Sequence, residues 1–129
     1  MVDGYADQFA DVDVDRVLDA LRLMRRASLL IRELEAYFAR HDLSQLRFLM
    51  MILIDREPER NCLAASEIAE RLDVSRPVVT RTLQGLERAG LIAISENSED
   101  ARSRNVTLTL SGKAKLDEVL PGYFAILHC

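Results

Sequence analysis

Between Val14 and Arg40 the chain has neither proline nor glycine. Val17, Leu21, Met24, Leu30 or Ile31, Leu34 and Phe38 recur at the spacing of one helix face, which predicts a single long helix. Leu18, Ala27, Leu29 and Tyr37 put further apolar positions on other faces, more than packing on one small core would use, so a second partner surface is implied. His41-Asp42-Leu43 reads as a break, and Ser44 is predicted to cap a helix through Leu46 to Ile54. That helix is apolar almost all round, the pattern of a buried central element. Glu57 to Asn61 is a polar loop containing Pro58, Cys62-Leu63 fits a short strand, and a helix follows from about Ala65 to Leu72. Asp73-Val74-Ser75 is a turn; a Ser75 hydroxyl cap and Pro77 in the first turn start a helix that runs to Ala89, where Gly90 is the expected left-handed terminator. Leu91 to Ile94 reads as a strand, and Val106, Leu108 and Leu110 alternate with Thr107 and Thr109 across a charged loop, predicting a hairpin. Thr109 or Ser111 caps a last helix, with a kink expected at Pro121-Gly122.

Two short helices about a turn apart, the second followed by a charged hairpin, are the parts of a winged helix-turn-helix, whose second helix enters the major groove of DNA. The expected fold is mainly α with a small β-hairpin wing: a winged helix-turn-helix core plus helical dimerisation segments. On a wheel of the second helix, Val79, Leu83 and Leu86 share one face. Pro77, Arg81, Gln84 and Arg88 share the opposite one, flanked by Val78 and Thr80, with Ser75 and Arg76 at the start. Arg binds guanine edges or phosphate, Gln pairs with adenine, and Val or Thr methyls meet the thymine methyl, so this face carries readout chemistry. An amphipathic surface helix of no special function would show a similar face; the preceding helix and following hairpin favour the DNA reading. Gly85, in mid-helix, costs stability and has no functional reason legible in the sequence beyond close backbone approach.

The formal charge of −4 on 129 residues argues against nucleic acid only if it is spread evenly. From Arg71 to Lys115 there are eight basic against five acidic residues, and in the remainder nine against sixteen. Asp3, Asp7, Asp11, Asp13, Asp15 and Asp19 crowd the start, where they suit the N-terminal dipole of the long helix. No apolar run reaches the length of a membrane span and no secretion signal precedes the first helix, so a cytoplasmic protein without membrane partners is expected. Cys62 and Cys129 form no C-x-x-C pair, and neither a bound metal nor a cofactor is expected. Two histidines, no nucleophile motif, and a Ser111-Gly112-Lys113 that lacks phosphate-loop glycine spacing give no inventory for an enzyme.

The runs Ser66-Glu67-Ile68-Ala69-Glu70-Arg71-Leu72, Val74 to Arg81 and Leu86-Glu87-Arg88-Ala89-Gly90-Leu91 together resemble the MarR family of regulators. Asp100-Ala101-Arg102 followed by Val106, Leu108 and Thr109 resembles that family's wing. The resemblance covers about Ser44 to Leu120. It implies a ligand-responsive repressor that binds double-stranded DNA as a homodimer at a pseudo-palindromic site. Arg102 would enter a narrow minor groove, Asp100 would orient it, and Arg104 would contact phosphate. On this reading residues 1–42 are an acidic segment and dimerisation helix, 43–110 the DNA-binding lobe, and 111–129 a shortened dimerisation helix. The resemblance also implies a small phenolic or anionic effector, for which Arg22, Arg25, Arg26, His41 and Arg47 are the available cations; solvated surface charge is the plainer account of each. Cys62 is either a small buried hydrophobe or an oxidant sensor beside Arg60. Ala64 stands where the family often has a threonine cap, so that cap is missing or moved to Ser66. The competing class is a winged-helix protein-interaction module with weak DNA affinity.

Overall fold

The computed structural model describes Gly4 and residues 7–57, 63–96 and 104–128, leaving aside the side chains of Glu96 and Arg104. The wing residues Asp100 and Arg102, both cysteines and the Pro58 loop lie outside the described residues. The chain forms two compact units, 1–36 and 37–129. Most of the first unit is the helix α1, Val14–Ala39, whose last residues belong to the second. Asp13 caps α1: its Oδ1 accepts from the amides of Asp15 at 3.1 Å and Arg16 at 3.3 Å, so one aspartate of the acidic start satisfies two orphan donors. Along this helix Val17, Leu21, Leu23, Met24, Leu29, Leu30 and Ile31 are exposed.

The second unit contains α2 (Gln45–Asp55), β1 (Leu63–Ala64), α3 (Ala65–Leu72), α4 (Arg76–Arg88), β2 (Ile92–Glu96), β3 (Arg104–Leu108) and α5 (Leu110–His128). No residue of α2 is exposed, as its all-round apolar pattern predicted. Its Phe48, Met50, Met51 and Ile54 are fully buried, together with Phe38, Leu63, Ile68, Leu86, Val106, Leu116 and Val119 from the elements around it. An aromatic group joins three elements: Phe48 lies 4.8 Å from Phe38 and 4.7 Å from Tyr123, ring centre to ring centre. The Tyr37 hydroxyl donates to the Val119 carbonyl at 2.8 Å, tying α5 to the end of α1 within this unit. α5 continues unbroken through Pro121 to His128. The carbonyl that Pro121 leaves without an amide partner belongs to Asp117, an exposed residue, where water can serve it.

Three helices end in the same way. Asp42, Asp73 and Gly90 take positive φ of 58°, 53° and 77°. In each case the next residue's amide returns to a carbonyl of the last turn: Leu43 to Phe38, Val74 to Ala69, Leu91 to Leu86. Aspartate tolerates this conformation because its short side chain is polar; glycine does because it has none.

The sheet is antiparallel with order β1-β3-β2. β3 pairs with β2 from Ile92 opposite Leu108 to Glu96 opposite Arg104, and with β1 through Leu63 opposite Val106. Three local expectations change, and one open alternative is decided. β2 begins at Ile92, with Leu91 buried in the bend before it. Leu110 does not continue the strand; it opens α5 and is 92% exposed, because Thr109 caps that helix by accepting from the Gly112 amide at 3.0 Å. Ser75 stands at the N-cap of α4, but its hydroxyl makes no cap hydrogen bond. Ser66 does not replace the missing threonine cap: Ala64 is the N-cap of α3, and only the reciprocal contact exists, Glu67 Oε1 accepting from the Ala64 amide at 3.2 Å.

Candidate nucleic-acid interface

α3 and α4 are joined by Asp73, Val74 and Ser75, and α4 leads through Gly90 into the hairpin of β2 and β3. Each junction is fixed by chemistry the residues carry. Glu57, at the start of what reads in sequence as a polar loop, is instead buried, and Arg71 Nη1 donates to its Oε2 at 3.0 Å, locking α3 to the segment after α2. At the other end of α4, Thr109 bridges: its amide donates to Leu91 O at 3.1 Å and its hydroxyl to Gly90 O at 2.6 Å. Gly112 permits this closeness, since a Cβ there would run into the Leu91 carbonyl. The base of the hairpin, the C-terminus of α4 and the first turn of α5 are therefore one hydrogen-bonded corner.

Held at both ends, α4 buries Val79, Leu83, Gly85 and Leu86. Ser75, Arg76, Pro77, Thr80, Arg81, Gln84 and Arg88 are exposed, and Val78 is half-buried at the edge of the arc. This is the division that the helical wheel predicts, with Val78 on the flank. Pro77 has no amide hydrogen and no side chain caps the first turn, so the remaining N-terminal donors of α4 face outward to solvent or an anion.

Charge sorts by position. In residues 63–128, Arg71 pairs with Glu57 and Glu67, Lys113 with Asp55 and Asp117, and Lys115 with Glu118. Arg76, Arg81 and Arg88, all on the exposed arc of α4, form no ion pair among the described residues. Within residues 63–128, then, the described cations off the arc have a carboxylate close by, and those on it are left to attract an outside anion. Arg104 lies on β3 by its backbone.

Of the five cations considered for an effector, Arg22, Arg25 and Arg26 belong to the first unit and His41 and Arg47 to the second. Arg22 and Arg26 are exposed on α1, Arg22 within 3.4 Å of Asp19. In the second unit His41 faces Glu118 at 3.9 Å and sets its ring edge-on to Tyr37, with centres 4.8 Å apart. Arg47 lies elsewhere: its guanidinium rests on Gly85 of α4, where a Cβ would collide with it. A Cβ at position 85 would therefore displace the far end of that side chain. Among the described residues no group of His, Cys, Asp or Glu is placed to hold a metal, and no described helix is long and apolar enough to cross a membrane.

A sequence model described as MarR family matches residues 41–103. The chain is 33% identical over 122 residues to the HTH-type transcriptional repressor YetL of Bacillus subtilis (strain 168), covering 94% of this chain and 72% of that protein. Among solved structures it is similar to the YusO protein from Bacillus subtilis, with 27% identity, a TM-score of 0.70, and coverage of 91% of this chain and 82% of that one. It shares its fold with Sco3205, a MarR family transcriptional regulator from Streptomyces coelicolor solved in complex with DNA, at a TM-score of 0.85 and 20% identity, over 90% of this chain and 72% of that one.

Proposed function

The chain belongs to the MarR family, and from that premise we propose that it is a transcriptional regulator, a repressor by sign, that binds double-stranded DNA through α4 as a homodimer. The observation that carries this reading is the segregation of charge: Arg76, Arg81 and Arg88 stand on one exposed arc of α4 with no ion pair among the described residues, while the other described Lys and Arg side chains of residues 63–128 are paired. Arg81 and Gln84, mid-arc, are the base-reading residues; Arg76 and Arg88 at the two ends contact phosphates. The hairpin follows α4 in the chain, and Arg102, which the sequence puts between β2 and β3, is the residue proposed for the adjacent minor groove. The exposed apolar residues of α1 supply the surface for a second copy.

Selection from a random duplex pool at near-physiological salt, with the mass of the complex measured alongside, tests the reading. A two-fold symmetric motif with half-sites about one helical turn apart, bound by two chains, is the expected result. Absence of any enriched motif would instead favour a protein-interaction module.

A further inference from the structure

We infer that Arg47, from α2, is a phosphate-contacting residue of the DNA-binding face, and that Gly85 is the positioning residue that holds it there. This deepens the reading above and rests on it. The inference starts from the close approach of Arg47 to α4: its guanidinium occupies the place where a side chain at position 85 would begin. Around the axis of α4, position 85 lies about 40° from Arg81 and about 60° from Arg88, on the same side of both. The Arg47 guanidinium thus sits at the border of the exposed arc, beside two arginines that have no acidic partner among the described residues. Arg47 has no ion pair there either, and it is only half-buried.

Arg47, Arg81 and Arg88 have no ion pair among the described residues, and a strongly charged anion placed beside all three would be attracted by each. A DNA phosphate beside the groove that receives α4 is such an anion, and a planar guanidinium suits it. The backbone of Arg47 is fixed independently, because its amide donates to the Ser44 hydroxyl at 3.2 Å in the cap of α2. The charge is therefore presented from a buried helix at a set distance along α4, a placement that α4 alone cannot supply.

The test is anisotropy titration of a labelled duplex carrying the selected motif, and of an unrelated duplex, over a series of salt concentrations. Arg47→Ala should weaken binding to both duplexes by the same factor, roughly tenfold, and lower the slope of log K against log salt by about 1 per protomer. Arg47→Lys should keep most of the slope. Gly85→Ala, which displaces the guanidinium by its own methyl while improving helix propensity, should weaken binding without lowering the thermal midpoint, and should cost nothing further in an Arg47→Ala background. Arg81→Ala, run beside them, should reduce the preference for the selected duplex. Unchanged affinity and slope in Arg47→Ala, with binding lost in Arg81→Ala, would overturn the role of Arg47 and leave the DNA reading standing. A changed base preference in Arg47→Ala would overturn the phosphate assignment. If Arg81→Ala also binds as the parent does, the DNA reading falls and this one with it. Should Arg47→Ala fail to fold, Gly85→Ala carries the same decision.

Discussion

Arg81 and Gly112 show how differently two single residues support one interface. Arg81 is exposed and unpaired among the described residues, so removing its side chain leaves no buried group without a partner. Arg81→Ala should leave the unfolding free energy from urea titration within about 0.5 kcal/mol of the parent and cost about 1–3 kcal/mol of binding to the selected motif, with less effect on unrelated DNA. Equal losses on both duplexes would assign Arg81 to phosphate and move base reading to Gln84. Gly112 touches no ligand. A methyl there meets the Leu91 carbonyl, which is held by Thr109, and lies 3.0 Å from the Leu108 side chain. Backbone cannot swing aside as the end of an arginine can, so Gly112→Ala should cost roughly 1–3 kcal/mol of stability, read as a lower urea midpoint at unchanged m-value. Gly85 and Gly112 therefore call for opposite outcomes: Gly85→Ala is tolerated by the fold, Gly112→Ala is not.

Element boundaries are where local chemistry and tertiary context compete most openly. Ser44 does what its residue type predicts, accepting from the Arg47 amide, and Asp13 does the same for α1. Ser75 does not, although its position is right. α3 starts on an alanine and has only the Glu67 half of a capping box. Ala64→Ser should restore the other half and stabilise the fold by about 0.5–1 kcal/mol, seen as a higher urea midpoint; an unchanged or lower midpoint would mean that the close quarters between β1 and β3 at Ala64, which is 7% exposed, exclude the hydroxyl. Where a glycine marks a helix end, as at Gly90, the signal is legible from residue type alone. Asp42 and Asp73 adopt the same left-handed conformation with a weaker signal, since aspartate enters it only when the returning amide contact is already available.

At the scale of the whole molecule the acidic balance and the DNA reading are compatible because charge is segregated, and binding should be strongly salt-dependent despite the net −4. The apolar residues exposed on α1 are too many for a surface meant for water: Leu23 and Met24 are each 66% exposed. Replacing Leu21 and Met24 together by glutamate should shift sedimentation equilibrium from dimer to monomer and reduce affinity for a two-half-site duplex to that for one half-site. A parent chain that already sediments as a monomer would exclude the dimer reading outright.

Periodicity, proline and glycine suffice for most elements here, because the spacing of apolar residues is written in residue type: α4 buries one face, α2 is apolar all round and has no exposed residue, and α1 runs without proline or glycine. The basic arc of α4 is legible for the same reason: exposure within one helix follows from angle, and Val79, Leu83 and Leu86 leave only one side free. What sequence spacing does not carry is any contact between elements. Glu57 reads as loop because its partner Arg71 is fourteen residues away, and burial is affordable to a carboxylate only once that guanidinium arrives. Leu110 reads as strand because alternation continues through it, until the Thr109 cap starts a helix there. Gly85 looks like a flaw in a helix until the guanidinium of Arg47, thirty-eight positions earlier, is found resting on it. Each of these was decided by tertiary structure, because each depends on which side chain from another element fills a particular volume.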